Sequence, residues 1–147
     1  MKHFISYLTT ALVVISMSCT GNAQTKNTTA SNPVDRVEVL DFHTDHRCAT
    51  CLEIEKLTKK ILADHYAGEM KSGKITFRLI NADDKANAAI VQKFLAYGTT
   101  LIVYSIKNGK EEHIDLTSFA FMNFNKADKF SGGLRKELDA ALKRIKS

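Results

Sequence analysis

The spacing of apolar residues predicts a buried β-strand that begins near residue 36. Residues 36–42 are rich in β-forming side chains, and their apolar positions fall on both faces of an extended chain. Val37 and Val39 share one face, whereas Leu40 and Phe42 share the other. Apolar residues on both faces are typical of a strand that is covered on both sides. We therefore expect this strand to lie inside the sheet.

A helical period replaces this pattern from about residue 49 to residue 66. Charged residues occupy the positions between the apolar ones, and Glu55 and Lys59 have the four-residue spacing of a favourable helix ion pair. Gly68 and Gly73 mark the end of the predicted helix. Its apolar stripe consists of Ile54, Leu57, Ile61 and Leu62.

A second strand and a second helix are predicted after residue 73. Alternation along the strand turns Ile75, Phe77 and Leu79 inward. Asp83 then stands where an N-cap residue would, before a helical pattern that runs over residues 85–96. The apolar face of that helix consists of Ile90, Val91, Phe94 and Leu95.

A hairpin and a closing helix complete the pattern. The apolar run at residues 101–106 leads into Asn108-Gly109, a dipeptide that favours a tight hairpin turn, and residues 111–117 return antiparallel. The order β-α-β-α-β-β-α predicts an α/β protein with a central mixed sheet of about four strands flanked by helices. The apolar side of the closing helix consists of Leu134, Leu138, Ala141, Leu142 and Ile145.

Residues 118–133 hold more aromatic side chains than a free loop needs. We expect these side chains to form a satellite core packed under the edge of the sheet. The alternative is a surface that docks a partner. The aromatic residues of this segment are Phe119, Phe121, Phe124 and Phe130.

The first 18 residues predict a secretory signal peptide of the lipoprotein type. Lys2 precedes an apolar run over residues 4–17, which is shorter than the ~20 residues that a membrane-spanning helix needs. Ser16-Met17-Ser18-Cys19 resembles a lipobox, so we expect peptidase cleavage to expose Cys19 for acylation. A cut after Ala23 by an ordinary signal peptidase is the alternative.

The composition divides the chain into three segments. Residues 1–18 are the predicted signal peptide, and residues 19–33 are polar and end at Pro33, as expected for a lipid anchor followed by a flexible linker. Residues 34–147 are long enough for one compact domain. We therefore expect an exported, periplasmic lipoprotein that is attached to a membrane by its lipid.

The charge pattern gives no indication of a nucleic-acid partner. Lys and Arg number 21 and Asp and Glu number 16, which leaves a net charge of +5 at pH 7. A nucleic-acid surface needs a basic stripe, whereas the basic residues here alternate with acidic ones. We expect no nucleic acid among the partners.

Cys48 and Cys51 lie where the first strand passes into the first helix. Their spacing puts both sulfurs on one turn, close enough to form a disulfide. Free amide groups at the helix N-terminus are expected to lower the pKa of the first thiol, and Arg47 adds a positive charge beside it. Because the thiolate is the attacking species, we expect Cys48 to be the nucleophile and Cys51 the resolving thiol.

The cysteine pair belongs to a larger set of motifs. Val39-Leu40-Asp41-Phe42 leads into Cys48-Ala49-Thr50-Cys51, Tyr97-Gly98-Thr99-Thr100 precedes an apolar strand, and Lys107-Asn108-Gly109-Lys110 forms the hairpin. Over residues 36–145 this set resembles the thioredoxin superfamily. With Phe42-His43 and the export signal, it is more closely similar to the bacterial ArsF family, labelled as a nitrophenyl compound nitroreductase subunit. That label implies reductive electron transfer, and nitroreductase chemistry would need another subunit because the sequence shows no flavin or nicotinamide motif.

The resemblance implies roles for three further residues. Asp41 matches the buried acid of thioredoxins and is a candidate for proton transfer, although it lies one residue further from the cysteines; the alternative is a solvated or capping Asp at a strand end. Thr99 stands where thioredoxins usually have a cis-proline. Thr99 and Thr100 are the predicted substrate-docking loop.

Together these patterns predict a membrane-anchored thiol–disulfide oxidoreductase or electron-transfer protein, as the thiol subunit of a reductive system. Its redox group is the Cys48–Cys51 disulfide, without another cofactor, and its partners are protein thiols or disulfides and a membrane electron donor. One alternative is a metal site in which His43 and His46 join both cysteines. The other is an interaction module with a structural disulfide, which would be buried, whereas an exchanging pair would expose Cys48.

Overall fold

A computed structural model describes residues 35–146 of the chain. The predicted signal peptide at 1–18, the linker at 19–33 and the lipid attachment at Cys19 lie outside the described residues. Within residues 35–146, no helix combines the length and the apolar character needed to cross a membrane.

Four strands in the described part of the chain form one mixed sheet. β1 (Arg36–His43) pairs in parallel with β2 (Ile75–Asn81) and antiparallel with β3 (Thr100–Lys107), and β3 pairs antiparallel with β4 (Lys110–Asp115). The predicted Asn-Gly hairpin is confirmed, since Asn108 and Gly109 have the positive φ values of 50° and 76° that such a turn requires.

Within residues 35–146, five helices flank this sheet, two more than the pattern predicted. The parallel pairing of β1 with β2 requires a crossover, and the helices between them supply it. The fold is therefore the expected α/β, thioredoxin-like arrangement with a central sheet. The helices are α1 (Ala49–His65), α2 (Ala67–Lys71), α3 (Ala88–Phe94, after a 3₁₀ turn at Lys85–Asn87), α4 (Thr117–Asn123) and α5 (Ala127–Lys146).

The two faces of β1 enter two different cores, as the apolar pattern predicted. Val37 and Val39 are fully buried in a larger core shared with α1, α4 and α5. Leu40 and Phe42 are fully buried in a smaller core on the opposite face, which α3 covers. This arrangement leaves the carboxyl end of β1 between the two layers, and the cysteine pair follows after the short segment at residues 44–47.

The predicted alternation along β2 is wrong at its carboxyl end. Leu79, expected to face inward, is 39% exposed, whereas Ile80 is buried in the smaller core. The reason is that helices cover both faces of the sheet, so an apolar residue can be buried on either one.

The predicted helix at residues 85–96 is also shorter than expected. It ends at Phe94 because Leu95 adopts a φ of 52° in the left-handed region, which leaves the Leu95 side chain exposed. Asp84, rather than Asp83, caps the preceding turn, since its Oδ1 accepts a hydrogen bond from the amide of Ala86 at 2.9 Å.

The aromatic segment forms α4 and the start of α5. Phe130 is fully buried in the larger core, and Phe119 and Phe124 pack against that core, so these aromatic side chains belong to the main core and not to a satellite. Gly133 makes this packing possible, because a Cβ atom at that position would lie 2.1 Å from Cζ of Phe119.

Candidate functional site

The structure places the cysteine pair at the junction of β1 and α1, as predicted. Cys48 and Cys51 form a disulfide with Cα atoms 5.1 Å apart. Cys48 is the N-cap residue of α1, and its Sγ accepts a hydrogen bond from the amide of Cys51 at 3.1 Å. The first sulfur of the pair therefore lies against an amide donor at the positive end of the helix dipole.

The two sulfur-bearing residues differ in exposure. Cys48 is exposed, whereas Cys51 is only 6% exposed. An incoming thiol or disulfide can therefore reach Cys48, while Cys51 is shielded. This asymmetry is the one expected for an exchanging pair and differs from that of a purely structural disulfide.

Thr99 contacts the buried sulfur of the pair. Its hydroxyl donates a hydrogen bond to Sγ of Cys51 at 3.1 Å. Pairing of Phe42 with Thr100 brings this segment next to the end of β1, and the Thr100 hydroxyl instead bonds to the carbonyl of Gly98 at 3.2 Å. Over residues 35–146 every peptide bond is trans, so Thr99 occupies the expected position without a cis bond.

Asp41 lies near the end of β1, on the same face as Val37 and Val39, which α1 covers. It is 1% exposed and pairs across the sheet with Leu101, two residues beyond Thr99. No group of residues 35–146 donates a hydrogen bond to its Oδ2. The pKa of Asp41 is raised to about 7, chiefly by burial and also by the nearby carboxylate of Glu55, against the opposing charges of Arg47 and Lys59.

Glu55 joins two cations on the flank of α1. Its carboxylate accepts hydrogen bonds from Arg47 and from Lys59. Burial alone would raise the pKa of Glu55, but the hydrogen bonds from Lys59 and Arg47 outweigh it and lower the pKa below its usual value. Helical spacing predicted the Glu55–Lys59 pair. The Arg47–Glu55 pair was missed because Arg47 precedes α1, and the three- and four-residue spacing of helix ion pairs applies only to residues within a helix.

The predicted metal alternative draws on His43 and His46, which lie at the end of β1 and in the bend that follows it. His43 is half-buried with its Nδ1 2.9 Å from the carbonyl oxygen of Thr44, and His46 is exposed. Among residues 35–146, no group of three or more His, Cys, Asp or Glu side chains is arranged to hold a metal ion. The metal alternative is left without a supporting observation.

Comparisons with known proteins give little further information. No protein-family model and no curated protein matches the chain. Three chains of solved structures match. One, described as "Structure of a malarial protein", is 20% identical, covers 62% of this chain and 94% of its own length, and has a TM-score of 0.39. A likeness this weak says nothing about what the chain does.

Exposed apolar side chains lie next to Cys51 and close to Thr99 in the sequence. Leu52 follows Cys51 and is 49% exposed, and Tyr97 lies two residues before Thr99 and is 67% exposed. Periodicity did not single out either residue. The signal that could have identified Leu52 is its position outside the apolar stripe of α1, because a Leu at such a position faces solvent.

Proposed function

We propose that this chain exchanges its Cys48–Cys51 disulfide with the thiols or disulfides of other proteins. The observation that carries the proposal is the exposed Cys48 at the N-terminus of α1, paired with a shielded Cys51. Thiolate attack needs an accessible sulfur in a positive environment, and this position supplies both. The fold and the cysteine spacing support the same thioredoxin-like chemistry.

The exchange moves two electrons in two steps. In the reduced chain, the Cys48 thiolate attacks one sulfur of a partner disulfide, forms a mixed disulfide and releases the other sulfur as a thiolate. Cys51 then loses its proton and attacks Sγ of Cys48, which releases the second partner thiolate and leaves Cys48–Cys51 oxidised. The partner is reduced by two electrons, and the reverse steps would oxidise a partner dithiol.

The buried Asp41 and the half-buried Thr99 support the second step in this proposal. Asp41 has a pKa of about 7, which suits a group that takes a proton from the Cys51 thiol near neutral pH. The Thr99 hydroxyl, which already donates to the Cys51 sulfur, would stabilise the thiolate because a hydrogen bond to a charged acceptor is stronger than one to a neutral acceptor.

Mixed-disulfide trapping tests the proposed exchange. A Cys51→Ala variant lacks its resolving thiol, so we expect it to accumulate a covalent complex between Cys48 and a partner cysteine. Non-reducing electrophoresis and mass spectrometry of the complex measure this accumulation. The Cys48→Ala variant is the matched control and should trap far less. Equal trapping by both variants, or none by either, would contradict the proposal.

The contact between Thr99 and Cys51 gives a finer prediction. In Thr99→Val, the second thionitrobenzoate released from the reduced pair by dithiobis(nitrobenzoate) should appear about fivefold more slowly, since Cys51 loses a donor to its thiolate. Stopped-flow absorbance separates this release from the first. Thr100→Val also loses one hydroxyl hydrogen bond, but not one to sulfur, and should leave the second phase unchanged.

We also propose the location that the sequence predicts. Cleavage before Cys19 and acylation of its sulfur would attach the domain to a membrane on the periplasmic side, where a membrane electron donor could reach Cys48 in a reductive system similar to that of the ArsF family. The mass of the peptide that contains residue 19, from membrane-extracted protein, tests this attachment. A mature chain that begins at Gln24 would rule it out.

A further inference from the structure

The ion pair between Arg47 and Glu55 differs from the other ion pairs of α1. The side chains of Arg47 and Glu55 are 22% and 13% exposed, whereas Lys56–Glu53 and Lys60–Asp64 lie in solvent. Exposed pairs contribute little, because water screens them and long side chains lose freedom when they pair. The Arg47–Glu55 pair is shielded enough to hold its side chains in one arrangement.

The geometry of the Arg47–Glu55 ion pair directs the Arg47 side chain away from the exposed sulfur of Cys48. Arg47 immediately precedes Cys48, but Glu55 lies seven residues further along α1, which corresponds to about 10 Å of helix. To reach that carboxylate, the Arg47 side chain must extend back along the flank of the helix. Its Nε is buried and donates to no acceptor within residues 35–146, so the guanidinium is drawn into the protein.

We propose that Glu55 is a positioning residue of the disulfide centre, which holds the Arg47 charge on the flank of α1 beside Asp41 and withholds it from the Cys48 sulfur. Its effect on exchange rests on the function proposed above. The Cys48 thiolate is then stabilised mainly by the amide groups at the start of α1. A less stabilised thiolate makes the dithiol a stronger reductant, because a redox pair becomes more oxidising when its reduced form is stabilised. Glu55 therefore biases the pair towards reduction of its partners.

The groups around Asp41 are consistent with this arrangement. α1 contributes Glu55 and Lys59, and the segment before α1 contributes Arg47. The residues that pair with Asp41 on β2 and β3 are apolar, Leu79 and Leu101. Glu55 thus pairs with both cations, and all three charged groups lie near the buried carboxyl group of Asp41.

A double-mutant cycle on Glu55 and Arg47 tests the proposal in the reduced full chain. The readout is the rate of Cys48 alkylation as a function of pH, which follows the thiolate fraction. In Glu55→Gln the released guanidinium can approach the sulfur, and we expect alkylation at pH 7 to be about threefold faster. Arg47→Gln alone should change the rate less than about twofold, and the Glu55→Gln/Arg47→Gln double variant should return to that rate.

Two further variants separate positioning from a general effect of charge or structure. Glu53→Gln removes an acid that pairs with Lys56 on the exposed side of α1 and should leave the profile unchanged. Glu55→Asp keeps the carboxylate and should restore the slower rate. Redox titration against glutathione should show Glu55→Gln as more oxidising than the native chain, and the added Arg47→Gln should reverse this shift.

The double-mutant cycle and the trapping experiment give independent results, because alkylation of Cys48 needs no partner protein. An unchanged profile in Glu55→Gln, or equal acceleration with and without Arg47, would overturn the role of Glu55 even if Cys51→Ala traps a partner. If Glu55 and Arg47 are coupled in the alkylation rate but Cys51→Ala traps no partner, the result would instead overturn the exchange function. The positioning of Arg47 by Glu55 would then remain supported.

Discussion

At pH 8, the Asp41→Asn variant is expected to have a free energy of unfolding higher than that of the native chain by up to about 4 kcal/mol. The pKa of Asp41 is raised from 3.8 to about 7 in the folded chain, chiefly by burial and also by the carboxylate of Glu55. A difference of about three pKa units corresponds to about 4 kcal/mol between the charged and neutral forms. Asparagine avoids the buried charge. Because Oδ2 of Asp41 has no hydrogen-bond partner within residues 35–146, the asparagine amide at this position would also be unpartnered, and this reduces the gain.

The sign of the pH dependence follows from the direction of this shift. Well below pH 3.8 the carboxyl is protonated in both folded and unfolded chains, so its contribution to stability is fully present. Between pH 4 and pH 7 the unfolded chain releases the proton while the folded chain retains it, and stability falls by about 1.4 kcal/mol per pH unit. Above pH 7 both states are ionised and the decline ends.

Urea denaturation of the oxidised protein from pH 4 to pH 8 measures this dependence. The native chain should lose stability over that interval, and Asp41→Asn should remove the contribution of Asp41 to the slope. Asp128→Asn is the control, since Asp128 is exposed in the first turn of α5 and should leave the slope unchanged. A native slope that persists in Asp41→Asn would show that Asp41 is not the group responsible.

Gly133→Ala is expected to destabilise the fold by about 1–3 kcal/mol, the usual cost of an extra methyl group in a packed site. Its Cβ would lie 2.1 Å from Cζ of Phe119, whose ring also packs against Phe130 with centroids 6.0 Å apart. The ring must move, and that movement disturbs the contact between α4 and α5. The better helix propensity of alanine offsets at most about 1 kcal/mol of this cost.

The neighbouring glycine provides the matched control. A Cβ at Gly132 would have no atom within 4 Å, so Gly132→Ala should stabilise α5 by up to about 1 kcal/mol. Chemical denaturation at one pH compares the two variants. Phe119→Ala should make Gly133→Ala less harmful, because it removes the ring that the methyl group would strike. Equal effects of Gly132→Ala and Gly133→Ala would show that Phe119 does not require the glycine.

The sequence by itself determined those features that depend on a few consecutive residues. Apolar residues on both faces of β1 follow from the two-residue period of a strand, and the turn at Asn108 and Gly109 follows from the positive φ values that these residues tolerate. The place of Cys48 at the start of α1 follows in the same way from the change of period. Local geometry decides each of these features before any tertiary contact forms.

The tertiary structure decided which side chains meet. Only the packed fold shows that Ile80 is buried and Leu79 exposed, since burial in a sheet covered on both faces depends on the neighbouring layer and not on alternation.

The electrostatics of the site also depend on the tertiary structure. The pKa of Asp41 results from exclusion of water by the surrounding elements, and the Arg47–Glu55 pair joins residues that no helical spacing rule relates. The approach of Thr99 to the Cys51 sulfur depends on how β3 pairs with β1. The sequence thus identified the reacting cysteines, whereas their charged and hydrogen-bonded surroundings arise only when distant segments fold together.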